Sequence, residues 1–167
     1  EDGWLVETGP NTLQIEGEAD RALLDHYGLG AVLQEADHAS AQRFILSKGK
    51  LHALTNKPSS LFKGDLLTWR GKLRFLSEIF RPRGGSAEET VQAFMTRRFG
   101  AEAADLLMDP VVSGVHAGDP GRLCMANSFP SLPALEASHR SVILGLIRQP
   151  PKGRSIIGFP AGMQQLA

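Results

Sequence analysis

The sequence predicts an α+β fold in which both ends of the chain contribute to one sheet-based domain and a helical lobe is inserted between them. Three observations point there. RFILSKGKLHAL, residues 43–54, reads as a β-hairpin; after Lys57-Pro58 the apolar spacing turns helical and stays so to about residue 148; SIIGF, from Ser155, reads as a strand again. The expected partition is residues 1–58 as strands and short helices, 59–148 as the helical lobe, and 149–167 as the return to the sheet.

Taken in order, GWLVE (3–7) reads as a short strand, and TGPNT (8–12) as a turn built on Gly9, Pro10 and Asn11. Ala22, Leu23 and Tyr27 are spaced for a helix from Glu18 to about Tyr27, with Gly28 as its stop. A second short helix is expected over Ala31 to Glu35. In the hairpin, Ser47-Lys48-Gly49-Lys50 is the turn, and Gly49 supplies the positive φ it needs.

The helical lobe begins with Arg70 to Phe80, where Leu73, Leu76, Ile79 and Phe80 share helical spacing. Ser86 followed by Glu89 has the form of a capping box for a helix to Phe99, with Gly100 ending it. Ala101 to Val115 continues as one helix or a pair, and Pro110 fits only a kink or a first turn. Helical character returns over 122–129 and 131–147, interrupted by Pro130 and Pro133, before the loop QPPKGR at 149–154. Both ends read as interior sequence: the chain opens almost directly in a strand-like run, and GFPAGMQQLA stops as a helix begins.

Composition excludes several functions. Eighteen basic and eighteen acidic residues cancel, which removes the basic excess that nonspecific nucleic-acid binding requires. One cysteine, Cys124, allows neither an intrachain disulfide nor a cysteine metal cluster. The five histidines, His26, His38, His52, His116 and His139, form no HxH, HxxxH or HExxH spacing, so no metal site is expected. No apolar run approaches the roughly 20 residues that span a bilayer.

Three stretches keep a functional reading beside a bland one. DPVVSGVHAGDP (109–120) is neither a P-loop nor a GxGxxG turn; Gly114 and Gly118 permit close packing or end a helix. Arg43 enters an apolar strand, either as an edge residue with its head in water or as a fork for a carboxylate. From Phe62 to Arg83, Lys63, Arg70, Lys72, Arg74, Arg81 and Arg83 interleave with Trp69, Phe75, Phe80 and leucines. That pattern suits a membrane-surface helix or a solvated face over an ordinary core.

Five segments in order carry a resemblance: VETGPNTL (6–13), QRFILSKGKLHAL (42–54), FMTRRFGAEAADLLMDPVVSGVHAGDP (94–120), SFPSLPALEASHRSVILGLI (128–147) and GFPAGMQQL (158–166). Together they resemble the middle portion of the protoporphyrinogen oxidase family, within the flavin amine oxidase superfamily. The resemblance implies a sheet-based, monoamine-oxidase-like flavin and substrate domain at 1–58 and 149–167, with a helical membrane-binding lobe at 59–148. It implies oxidation of protoporphyrinogen IX to protoporphyrin IX with FAD and O2, in haem or chlorophyll synthesis. Gly9, Pro10, Asn11 and Thr12 match the turn lying against the flavin, Arg43 the arginine that pairs with a propionate, and Gly114 and Val115 the border of the substrate cavity. Ala117 stands where many relatives carry a second glycine, and His116 takes no catalytic role. No residue of this chain is assigned to catalysis itself, no metal is implied, and a homodimer is left open.

The resemblance places the protein peripherally at a membrane, whether mitochondrial, plastid or bacterial. It also implies that 167 residues lacking the family's GxGxxG turn do not hold FAD alone. Two alternatives remain beside it: a related flavin amine oxidase or desaturase, and a noncatalytic lobe that binds porphyrin or lipid.

Overall fold

The computed structural model describes residues 6–37, 43–54, 64–150 and 155–166, and the chain divides into two compact units, 1–41 with 151–167 and 42–150. In the first unit β1 (Leu13–Ile15), β2 (Gln34–Glu35) and the strand near the end of the chain, β5 (Ser155–Gly158), form an antiparallel sheet with β5 in the middle. Leu13 lies opposite Ile157 and Gln34 opposite Gly158, so the two ends of the chain share one sheet, as the sequence predicts. Helix α1 (Glu18–His26) follows β1, with Gly28 at φ +72° behind it. Ile15, Leu24 and Ile157 are buried together, flanked by Leu13, Leu29 and Leu33.

Two expectations change in this unit. The strand expected over 3–7 falls mostly on residues outside those described, and Val6 and Glu7 are not in a strand; the strand of this region is β1, after the bend at Thr8 and Gly9. The helix expected over Ala31 to Glu35 is only a 3₁₀ turn, Gly30–Val32, followed by β2. Pairing with β5, extended by the Ala36 N–H donating to the Ile156 carbonyl at 2.9 Å, overrides the local helical spacing.

The second unit begins with β3 (Arg43–Ser47) and β4 (Lys50–Leu54), joined through Lys48 and Gly49, both at positive φ (50° and 74°). That is the two-residue turn whose twist matches its strands. The hairpin groups with the helices rather than with the sheet, since Ile45 is buried in the helical core and His52 Nδ1 pairs with Asp65 Oδ1 at 2.8 Å. The division between the two compact units falls at 41/42.

Helix α2 (Trp69–Leu76), capped by Thr68, runs into a 3₁₀ turn, Ser77–Phe80. Helix α3 (Val91–Phe99) is capped by Thr90, whose side chain accepts from the Ala93 N–H at 3.2 Å, and Gly100 at φ +100° ends it. The expected box of Ser86 and Glu89 does not cap this helix, because the Glu89 carboxylate is held by Arg97. Beyond Gly100, α4 (Ala101–Ala103) passes through a π-turn, Ala104–Met108, into α5 (Asp109–His116). Pro110 sits in the first turn of α5; its ring would crowd the carbonyl four residues earlier, at Leu106, and the wider π-turn there relieves it.

The expected helices over 122–129 and 131–147 resolve into α6 (Met125–Ser128), α7 (Ser131–His139) and α8 (Val142–Arg148). Arg140, at φ +64°, breaks α7 from α8, and the Ser141 side chain caps α8. Val91, Phe94, Met95, Phe99, Leu107, Val112, Met125 and Val142 form the core these helices share.

Candidate functional site

Gly9 to Thr12 form an exposed loop leading from the bend into β1. Among the described residues, nothing lies within 4 Å of where a Cβ on Gly9 would stand, so the backbone there is open. Arg43 is the first residue of β3, paired through its backbone opposite Leu54; its side chain is outside the described structure. Gly114 and Val115 are exposed on the last turn of α5, and among the described residues a Cβ on Gly114 would also meet nothing within 4 Å. Arg43 and the pair Gly114–Val115 belong to the helical unit, and Gly9–Thr12 to the sheet unit. Ile45, two residues beyond Arg43, and Val112, two before Gly114, are buried in one core.

The end of α5 differs from expectation. Neither Gly114 nor Gly118 has positive φ; the left-handed cap is Ala117, at φ +47°. Gly118 serves close packing instead, since a Cβ there would stand 3.0 Å from Leu123 Cδ1. His116, exposed at the end of α5, packs edge-on against Phe129, ring centres 5.2 Å apart.

What the sequence reading missed is a buried ionic cluster at the centre of the helical unit. Arg98 and Glu78 are both fully buried and form an ion pair. Arg98 also donates to the carbonyls of Pro82 and Arg140, each at 3.0 Å. The Glu78 carboxylate accepts from the Ser141 hydroxyl and from the N–H groups of Val142 (2.9 Å) and Ile143 (3.3 Å). A carboxylate there satisfies the free donors of α8 and faces the positive end of its dipole.

Beside this pair, Arg97 bridges two carboxylates. It reaches Glu89 at 2.9 and 2.8 Å and Glu136 at 2.8 and 3.0 Å, with its guanidinium 5.1 Å from the centre of the Phe94 ring. The hydrogen bonds Arg97 donates to Glu89, and then those to Glu136, raise the Arg97 pKa above its ordinary value. Burial pushes the Glu136 carboxyl up, but Arg97, Arg98 and the Gly84 N–H outweigh it and hold the pKa below 4.5. An open cleft of about 380 Å³ lies over this group, lined by Gly84, Gly85, Phe94 and Pro133 among others. Since both carboxylates are engaged by Arg97, neither is a free general base; the cluster holds helices together.

Helix α2 packs Phe75 inward against Phe99, ring centres 4.7 Å apart, but leaves most of its large apolar side chains outside. Trp69, Leu73, Leu76 and Phe80, four residues on one face, are exposed (67% and 84% for Trp69 and Phe80), while Gly71 and Glu78 face inward. The exposed charges on this segment, Arg70, Arg81 and Arg83, are all basic. No helix among the described residues is long and apolar enough to cross a membrane.

The strands of the first unit and the helices of the second make a mixed helix-and-strand fold. The whole chain, residues 1–167, matches the pattern of the flavin containing amine oxidoreductases, and it belongs to that family. Within it, the chain is 38% identical over 157 residues to a protein named protoporphyrinogen oxidase from Macaca fascicularis, covering 87% of this chain and 32% of the relative. It is 34% identical over 189 residues to the chloroplastic protoporphyrinogen oxidase of Nicotiana tabacum, covering 99% and 33%. The chain thus spans about a third of the length of these relatives. A solved structure from Exiguobacterium sp. 255-15, 22% identical, superposes with a TM-score of 0.75 over 99% of this chain and 39% of its own, so the fold is shared.

Proposed function

We propose that the protein carrying this chain oxidises protoporphyrinogen IX to protoporphyrin IX with FAD and O2, and that this chain supplies part of the flavin-facing turn, the substrate anchor and the membrane contact. The observation that carries the reading is the 38% identity over 157 residues to a protein of that name. FAD, when bound, supplies the hydride acceptor. The part of Gly9, Pro10, Asn11 and Thr12 is to offer an uncluttered backbone surface to its ring, which the open space over Gly9 supports.

The Arg43 guanidinium, a planar fork, binds one propionate of the tetrapyrrole and sets its orientation. Gly114 and Val115 border the macrocycle, supported by the open space over Gly114. The exposed face of α2 with its basic neighbours lies on an anionic membrane surface, from which an apolar substrate is taken.

The test is steady-state kinetics of the complete oxidase with Arg43→Leu. KM for protoporphyrinogen IX should rise about 10- to 100-fold, the equivalent of about 1.5–3 kcal/mol of charge-assisted hydrogen bonding, with the flavin spectrum intact. An unchanged KM removes the anchor.

A further inference from the structure

Among the described residues, the hairpin that opens with Arg43 is tied to the helical core at two points. Each residue of β3 pairs with one of β4, from Arg43 opposite Leu54 to Ser47 opposite Lys50, so what seats β4 also seats β3. One tie is Ile45, buried among the helices. The other is His52, directly opposite Ile45, whose Nδ1 lies 2.8 Å from Asp65 Oδ1. An apolar contact has no direction of its own, whereas a hydrogen bond fixes a distance and an angle. A two-stranded hairpin is marginal by itself, so these ties decide where it stands.

Asp65 is in turn held in place. Leu66 and Leu67 beside it are buried, and Leu66 shares its core with Ile45 and Val112. Lys72 Nζ donates to the Gly64 carbonyl at 2.6 Å. Thr68 gives its N–H and its hydroxyl to the Glu102 carboxylate, at 2.6 and 2.7 Å. Glu102 lies on α4, from which the chain passes through the π-turn into α5 and so to Gly114 and Val115. A hydrogen bond at its own backbone, then His52 and Lys50, hold the Asp65 carboxyl below its ordinary 3.8 against desolvation, so it is an ionised acceptor at neutral pH.

We infer that His52 and Asp65 are positioning residues for the Arg43 fork: their bond holds β3 in register with the helices that carry Gly114 and Val115. This rests on the anchor reading above and adds the residues that aim the anchor. The Asp65 side chain is 75% exposed, and a pair with so exposed an acid adds little to overall stability. Its effect is on where β3 lies. A planar fork must meet a carboxylate in a fixed geometry, so a small displacement weakens binding without altering the chemical step.

The experiment is a double-mutant cycle in the complete oxidase, read as KM for protoporphyrinogen IX and as kcat. His52→Leu should raise KM about 3- to 10-fold while kcat, the flavin spectrum and the unfolding midpoint change little. Asp65→Ala, at an exposed side chain, should give the same rise, and it carries the cycle if His52→Leu does not fold. His52→Asn keeps an N–H close to the place of Nδ1 and should restore most of the affinity. Added to Arg43→Leu, either His52→Leu or Asp65→Ala should raise KM no further, because no fork is left to aim.

An equal rise in the Arg43→Leu background, or no rescue by asparagine, overturns the positioning role. An unchanged KM in His52→Leu and Asp65→Ala, where Arg43→Leu raises it, overturns that role and leaves the anchor standing. If Arg43→Leu itself leaves KM unchanged, the anchor falls and the positioning role with it.

Discussion

The two units of this chain bury very different interiors. Among the described residues, the sheet unit gathers Ile15, Leu24 and Ile157 under a three-stranded sheet whose flanking strands are two and three residues long. The helical unit encloses a continuous core from Ile45 to Val142 and, within it, an ion pair with no solvent exposure. The difference teaches where organisation resides. The sheet depends on bringing the two ends of the chain together, while the helical unit is fastened by contacts it makes within itself.

Arg98→Met would break this contrast most severely. It leaves the Glu78 carboxylate buried, still facing Ser141 and the start of α8 but without its counter-charge. Stranding one partner of a buried pair costs about 3–5 kcal/mol. Denaturant unfolding should show that loss, and amide exchange should place it in α2, α3 and α8 while α1 and β5 keep their protection. Removing both charges, in Arg98→Met with Glu78→Gln, should cost less than the sum of the two single changes. An additive result would mean the two residues do not act as a pair.

The same cluster shows what the sequence made legible and what it did not. Periodicity located the helical lobe, and turn chemistry located the hairpin and the ends of α1 and α3, because those signals lie within a few residues. The ion pair joins positions 20 residues apart on separate helices, and no local pattern states that they meet. One signal was available: Arg98 falls in the same phase as Val91, Phe94, Met95 and Phe99, an arginine on the face that α3 buries.

Helix α2 poses the reverse problem. Its apolar spacing was plain, but spacing does not say which face is inside, and here Leu73, Leu76, Ile79 and Phe80 are outside while Phe75 packs on the core. Of the site residues, the Gly9–Thr12 bend followed from its composition. Roles for Arg43, Gly114 and Val115 came only from resemblance, because an arginine opening a strand and a glycine on a helix have common structural uses.

A gentler comparison uses pH. Glu136 has its folded pKa held below its ordinary 4.5. The stability this contributes is present in full above about pH 4.5 and is lost as pH falls through the folded value, where the bound proton removes its pairing with Arg97. Glu136→Gln should cost about 1–3 kcal/mol near neutrality, the scale of a hydrogen bond to a charged group. Urea midpoints measured from about pH 7 down to 3 should then fall less steeply for the variant than for the parent. Parallel curves would show that Glu136 does not contribute to acid unfolding.

The smallest effect concerns the end of α5. Ala117 caps that helix at φ +47° and ψ +37°, where an L side chain crowds its own backbone and glycine does not. The left-handed conformation costs a residue with a Cβ about 1–2 kcal/mol. Glycine gives back about 0.4–1 kcal/mol of that through the extra freedom of the unfolded chain. Ala117→Gly should therefore stabilise the helical unit by a net of about 0.5 kcal/mol, read as a small rise in the urea midpoint with an unchanged slope. Gly118→Ala is the control at the next position. It has no positive φ to relieve and would press a Cβ to 3.0 Å from Leu123, so it should lower the midpoint. If both substitutions moved stability the same way, the left-handed cap would not be what sets the end of α5.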